Sequence, residues 1–232
     1  MFALASGRWG ESPHQWEFKN IGDFCPGSRI VLPADGDMSE GWLRPDLAEW
    51  LDGHEHAELL LLTISGSDWL NHCLSVRPEP FDIIVPGRPD LPEIPNTRLI
   101  PYAEMKAMMR ARIRHILLGL KLVAERARIP VVYVEPPPPI EDNEHLARTA
   151  PWEADAIEER GVTSPWLRLK MYLLQSELIA EACEESGVDF HRVPDTARTV
   201  DGFMTPEGVA NDPFHATGTW GARVMADFDA RY

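Results

Sequence analysis

Asp212 and His215, an aspartate and a histidine three residues apart, are the pair in this sequence best suited to catalysis. On one loop this spacing lets the carboxylate bind one imidazole nitrogen, which fixes the tautomer and leaves the other nitrogen to take a proton from a hydroxyl. A structural interpretation stands beside it. Asp is a preferred N-cap and Pro is favoured at the first helical position, so Asp212 and Pro213 could simply start a helix. The pair alone does not decide between these interpretations.

The size and charge of the chain narrow the functions that such a pair could serve. With 232 residues, 44% of them hydrophobic, the chain can bury one large core, and we expect a single domain over residues 1–232. Its 37 acidic residues outnumber its 22 basic ones, for a formal net charge of -15. Nucleic-acid binding depends on Lys and Arg, so we expect a small-molecule substrate and no nucleic-acid partner.

The hydropathy pattern and the cysteines bear on the compartment. No apolar run approaches the length of a membrane helix, and the residues from Met1 to Trp9 lack the basic start of a signal peptide. Cys25, Cys73 and Cys183 have no CxxC spacing and are most simply free thiols. We therefore expect a cytoplasmic protein that does not bind membranes. Its oligomeric state is left open by the sequence.

Two early runs have the character of strands. Residues 57–64 are almost continuously apolar, as expected for a central parallel strand that is buried on both faces. Small and polar residues follow at 65–68, at the carboxyl end of this strand, where open α/β sheets bind ligands. The alternating run Trp16 to Ile21 predicts an earlier strand, which leads into a glycine-bearing loop at Gly22 and Gly27.

Strands and helices alternate through the rest of the chain. An apolar stripe predicts a long helix from Pro101 to Ala127, and the run 131–134 predicts a strand with a proline-rich exit. A second helix from Leu167 to Gly187, a strand at 188–193 and a closing helix near Trp220 complete the pattern. The alternation predicts an α/β fold, a three-layer, doubly wound parallel sheet with helices on both faces.

The order of these parts resembles the SGNH hydrolases, also called GDSL esterases, over nearly the whole chain. The resemblance rests on the strand with a glycine loop, the apolar strand with Ser65-Gly66-Ser67-Asp68, the strand with a proline exit, and the terminal Asp212-x-x-His215. It is closest to a bacterial group of uncharacterised SGNH-like proteins through two runs, Phe81-Asp82-x-x-x-Pro86-x-Arg88-Pro89-Asp90-Leu91-Pro92 and Arg168-Leu169-Lys170-x-x-x-Leu174-Gln175-Ser176-Glu177-Leu178.

This resemblance implies ester hydrolysis or acyl transfer on a small or carbohydrate-linked ester, with neither a metal nor an organic cofactor. It implies that His215 is the general base and that Asp212 orients it. The backbone N–H of Gly27, or else of Gly22, and the hydroxyl of Ser67 would stabilise the oxyanion. Ser67 stands where the family has an Asn, and its shorter side chain weakens that role.

The family's nucleophile block is absent, because the chain contains no Gly-Asp-Ser. Phe2, Ala5 and Trp9 recur at helical spacing, so the chain could begin inside the first helix, with the first strand and its serine upstream. We expect this truncation rather than a natural variant that lost the chemistry, since a decayed enzyme would keep the strand for packing. The strands at 16–21 and 57–64 would then flank a gap, and turnover would be impaired. The alternative function is a non-catalytic protein of the same fold that binds a ligand or partner.

A metal site and a Cys-His catalytic pair are two weaker hypotheses for this sequence. The runs 54–56 (His-Glu-His) and 141–145 (Glu-Asp-Asn-Glu-His) are rich in ligand types, but they lack the spacing of a metal site. We therefore expect no metal. Cys25 or Cys73 with His215 would make a Cys-His hydrolase, since both thiols fall near strand ends, but a buried inert thiol is the simpler interpretation.

Overall fold

The structure is a computed structural model that describes residues 12–24, 30–34, 40–64 and 66–232. The predicted helix end at Phe2 to Trp9 lies outside these residues, as do Cys25, Gly27 and Ser65. The strands are β1 (Val31–Pro33), β2 (Gly41–Leu43), β3 (Leu60–Leu62), β4 (Phe81–Asp82), β5 (Arg98–Leu99), β6 (Val131–Val134) and β7 (Asp189–His191). The helices are α1 (Ile21–Phe24), α2 (Pro45–Gly53), α3 (Leu70–Cys73), α4 (Tyr102–Arg126), α5 (Asn143–Thr149), α6 (Ala154–Arg160), α7 (Pro165–Ser186) and α8 (Gly218–Arg231).

A parallel sheet in the order β3-β6-β7 forms the centre of the molecule. Strand β6 is buried along its whole length, and its Val132 pairs with Leu61 of β3 on one side and Asp189 of β7 on the other. Because all three strands are parallel, the segments that follow them leave from the same edge. The pairs β1-β2 and β4-β5 lie outside this sheet.

Helices cover both faces of the sheet. Val132 packs with Met225 and Phe228 of α8, whereas Val131 and Tyr133 belong to the larger core that includes α4 and α7. Successive strand residues point to opposite faces, so α8 lies on one face and the α4–α7 pair on the other. The predicted mixed α/β class with a parallel sheet is confirmed at this level. The finer SGNH-like arrangement stays a prediction.

Two expectations about the first strands are wrong. Residues 15–20 form no strand, and Ile21 begins the short helix α1. Their alternation serves packing instead, because Trp16 lies against Phe228 with ring centroids 5.7 Å apart while Phe18 is 42% exposed. Strand β3 is half-buried and, among the described residues, stands at the edge of the sheet rather than at its centre.

The two long helices follow the predicted stripe. On α4, Met105, Met109, Ile113 and Leu120 are all less than 5% exposed. Met108, which we also expected on this stripe, is 53% exposed, so that part of the prediction is wrong. Helix α7 packs along α4 and is buried on nearly every side. A helix buried all round must satisfy its polar side chains internally, which gives those of α7 a structural role.

Buried polar side chains of α7 bind strand β4 and the segments that follow β3 and β6. Lys170 Nζ lies 2.7 and 2.9 Å from the two carboxylate oxygens of Asp82. Gln175 Oε1 accepts the backbone N–H of Trp69 at 2.8 Å, and Ser176 donates to Glu135 directly after β6. Asp82, Lys170, Gln175 and Ser176 belong to the two sequence runs that carried the closest resemblance, so the structure gives these residues a role in positioning other segments.

Arg168 performs the same task for the loop before α5. Its guanidinium, fully buried, donates to the carbonyls of Thr163, Ile140 and Glu141 and to Asn143 Oδ1. Burial lowers the pKa of Arg168 to about 10, so the group is still charged at neutral pH. Four acceptors around one cation hold residues 140–143 against the start of α7.

Candidate functional site

The Asp212 and His215 pair lies at the tip of a hairpin-shaped loop. The 3-10 turn Pro206–Gly208 leads into it, and an isolated antiparallel bridge joins Val209 to Ala216. Below the tip, the Ala210 N–H donates to the His215 carbonyl at 3.2 Å and the Thr217 N–H donates to the Gly208 carbonyl at 2.8 Å. The loop is thus closed by backbone hydrogen bonds on both sides of the tip.

The carboxylate of Asp212 holds both the ring and the turn. Oδ2 lies 2.9 Å from His215 Nδ1, and Oδ1 accepts the N–H groups of Phe214 and His215, each at 2.8 Å. Partial burial raises the pKa of Asp212, but these hydrogen bonds outweigh burial and leave the pKa below its usual value. An ionised carboxylate only accepts, so Nδ1 is the donor and Nε2 has the lone pair of a base.

The helix-start interpretation of Asp212 is wrong. Helix α8 begins at Gly218, and its N-cap is Thr217, whose hydroxyl accepts the Trp220 N–H at 3.4 Å. Asp212 makes the N–H contacts of an N-cap, yet the backbone after His215 enters the bridge with Val209 instead of a helical turn. The carboxylate is therefore fixed by its turn and directed at the imidazole.

Three long-range contacts hold the loop in place, and sequence reasoning missed all of them. His145 Nε2 donates to the Asp212 carbonyl at 3.2 Å, and Trp152 stacks on Phe214 with centroids 5.2 Å apart and ring planes 16° apart. A Cβ at Gly208 would lie 2.9 Å from the indole of Trp220, so this glycine permits the close approach of loop and helix. In the sequence, His145 could have been singled out by its position in the acidic run 141–145.

That acidic run is a helix start. Asp142 caps α5 by accepting the N–H groups of Glu144 and His145 at 2.8 and 3.1 Å, and Asn143 binds Arg168. In the other ligand-rich run, His54 donates from Nδ1 to the Trp50 carbonyl at 2.6 Å. Across the part of the chain that the structure describes, no group of three His, Cys, Asp or Glu side chains could hold a metal ion.

Ser67, the expected oxyanion donor, lies in the loop after β3, at the carboxyl edge of the central sheet. Its carbonyl accepts the Leu70 N–H at 3.0 Å, and the loop is anchored where Trp69 Nε1 donates to the Gly66 carbonyl at 2.9 Å. A Cβ at Gly66 would collide with Pro136 at the exit of β6. The described contacts do not join Ser67 to the Asp212–His215 pair, and its role stays a prediction.

Gly27 and Gly22 were expected to offer a backbone N–H to the oxyanion. Gly27 lies outside the described residues. Gly22 lies within α1, where its N–H donates to Asn20 Oδ1 at 2.9 Å. Because that N–H is already used by a neighbouring side chain, Gly22 is a poor oxyanion donor.

One candidate nucleophile, the thiol of Cys73, can be assessed directly. Cys73 is 1% exposed, its thiol donates to the Trp69 carbonyl at 3.2 Å, and burial raises its pKa to about 12. A Cys-His hydrolase with this thiol is therefore wrong, since the thiolate does not form near neutral pH.

Comparison with known proteins identifies no relative: no family model, curated protein or solved structure matches the chain. The SGNH resemblance therefore rests on the motifs alone and stays a prediction. Among the described helices, none combines the length and apolar character needed to cross a bilayer.

Proposed function

We propose that Asp212 and His215 form the general base of an SGNH-like hydrolase that acts by ester hydrolysis or acyl transfer on a small or carbohydrate-linked ester. The observation that supports this most directly is the 2.9 Å contact between Asp212 Oδ2 and His215 Nδ1. It is the arrangement in which a carboxylate selects the tautomer of a base. The His215 side chain is 54% exposed, so a solute can reach the loop tip.

The chemistry divides between the two residues. His215 Nε2 takes the proton of an attacking hydroxyl as its oxygen bonds to the ester carbonyl, and the resulting imidazolium faces the Asp212 carboxylate. The imidazolium then returns the proton to the departing alcohol as the carbon–oxygen bond breaks. Ser67 would donate to the oxyanion from the loop after β3.

The rate of ester turnover depends on which hydroxyl group attacks the carbonyl. Because the sequence contains no Gly-Asp-Ser block, we expect weak turnover by the 232-residue chain. The same fact favours a second candidate function, a non-catalytic protein of this fold that binds a small ligand or a partner.

Hydrolysis of 4-nitrophenyl acetate and butyrate by the purified chain distinguishes a hydrolase from a non-catalytic binding protein. A histidine on a protein surface also cleaves activated esters, so His215→Ala is compared with His56→Ala, which removes another exposed imidazole. A general base contributes about 10²–10⁴-fold, and even at a weak site His215→Ala should lower the rate at least about tenfold, with His56→Ala unchanged.

Equal rates for the two variants would remove His215 from the chemistry. Absence of turnover across acyl chain lengths, with the chain folded, would leave the binding protein. Stoichiometric labelling of Ser65 or Ser67 by a fluorophosphonate would instead place the nucleophile after β3.

A further inference from the structure

A second concave site lies between the segment that follows α3 and the start of α7. It is a cavity of about 250 Å³ whose walls include Val76, Phe81, Ile94 and Leu167. None of its described lining residues belongs to the 206–217 loop. Pockets that are mostly apolar, with a few polar groups at one end, are the usual form of small-molecule sites.

The charge around this cavity has the opposite sign to that of the protein. The chain has a formal net charge of -15, yet the described residues that line the cavity include Arg77 and His72 and no carboxylate. Arg77 donates from Nη2 to the Asn71 carbonyl at 2.6 Å and from Nε to the His72 carbonyl, which fixes its guanidinium. Burial, together with the charges of Arg112 and Arg77, lowers the pKa of His72, so its imidazole is mainly neutral near pH 7 and Arg77 supplies the positive charge of the cavity wall. The cavity therefore suits an anion.

A hydroxyl on the cavity wall is available to bind a ligand at the same place. Thr163 lines the cavity and is 6% exposed, and its N–H and carbonyl bind Leu74 and Arg168. Among the described residues its hydroxyl has no hydrogen-bond partner, and its oxygen is open to solvent, so a ligand in the cavity can reach it. The adjacent Ser164, also on the wall, is the N-cap of the 22-residue helix α7 and makes no side-chain capping bond there. A helix start of this length adds partial positive charge.

We propose that this cavity binds a small apolar monocarboxylate, with its carboxylate toward Arg77, Thr163 and the start of α7. Its hydrocarbon part lies between Val76 and Leu167. A volume of about 250 Å³ equals roughly eight water molecules at about 30 Å³ each, which matches a carboxylate with about five further carbons. The site is independent of the proposed ester chemistry.

Isothermal titration calorimetry of the 232-residue chain with hexanoate tests this, with 1-hexanol as the uncharged probe of equal chain length. We expect saturable binding of one hexanoate and at least about tenfold weaker binding of hexanol, because a hydrogen bond to a charged group is lost. Arg77→Gln should weaken hexanoate binding about tenfold and Thr163→Val about threefold or more. Arg128→Gln, which removes the same charge from a side chain that is 76% exposed, should leave it unchanged.

The fold of each variant is checked by urea unfolding. Because the Thr163 hydroxyl has no partner among the described residues, Thr163→Val should retain the stability of the parent chain. The His215→Ala variant should bind hexanoate as the parent does, which separates this site from the proposed hydrolase. Three results would each overturn the proposal: no saturation up to about 20 mM, equal affinity for hexanol, or binding unaffected by both Arg77→Gln and Thr163→Val in folded protein.

Discussion

The buried ion pair between Lys170 and Asp82 yields the sharpest test of how α7 positions the loops. Its side chains are 2% and 3% exposed, and Lys170 Nζ lies within hydrogen-bond distance of both carboxylate oxygens. Asp82 also accepts the N–H groups of Ile83 and Ile94 at 2.8 and 3.0 Å. Lys170→Met keeps the packing volume and leaves the carboxylate buried without its cation.

The expected magnitude follows from these contacts. Removing one partner of a buried pair costs about 3–5 kcal/mol. The two N–H groups still stabilise the Asp82 carboxylate, so we place Lys170→Met near the lower end, at about 3 kcal/mol. Asp82→Asn should cost a similar amount, because it leaves a buried ammonium. In the double variant no charge remains and one N–H acceptor is lost, so its cost should be only about 1–2 kcal/mol.

Urea unfolding followed by fluorescence of the 8 tryptophans measures all four proteins. Lys121→Met is the matched control, since Lys121 is 62% exposed and its pair with Glu125 spans 3.8 Å. It should change the free energy of unfolding by less than about 0.5 kcal/mol. Additive losses in the double variant, or a Lys170→Met cost no larger than that of the control, would refute the claim that this pair anchors the Asp82 segment.

Three further predictions test the loop, the buried arginine and the thiols. Asp212→Asn retains Oδ1 for the turn but places an NH₂ group opposite Nδ1, so His215 should change to the Nε2–H tautomer, which long-range ¹H–¹⁵N NMR detects. In the parent chain the pKa of Asp212 is lowered, so the stability that its carboxylate gives the loop is complete above about pH 3.9 and is lost as the pH falls through the lowered pKa. This loss should appear as faster exchange of the His215 amide. Arg168→Met leaves four acceptors without their cation and should cost about 3 kcal/mol or more in urea unfolding, whereas a cost below about 1 kcal/mol would contradict its anchoring role. Burial raises the pKa of both Cys73 and Cys183 to about 12, so a disulfide reagent at pH 8 should modify neither until urea unfolds the chain, as followed by mass spectrometry.

The regular elements with a local signal were predicted well. The apolar stripe of α4 apart from Met108, the run that forms β6 and the residues around β7 match the structure. Periodicity works for these elements because one buried face repeats at the spacing of the helix or strand itself. The run Trp16 to Ile21 shows the limit of the same signal, since its alternation is satisfied by one aromatic contact with α8 and not by a strand partner.

The sequence by itself placed Asp212 and His215 within reach of each other, because a spacing of three residues on one turn brings a carboxylate close to an imidazole, but it did not decide between a catalytic pair and a helix start. Only the tertiary structure decided what surrounds the pair. The ring of Trp152 on Phe214 and the bond from His145 join residues far apart in the chain, and Lys170 meets Asp82 across 88 positions. Such partners are chosen by how helices and loops pack, and a single polar residue carries no periodic signal of the distant group that it will satisfy.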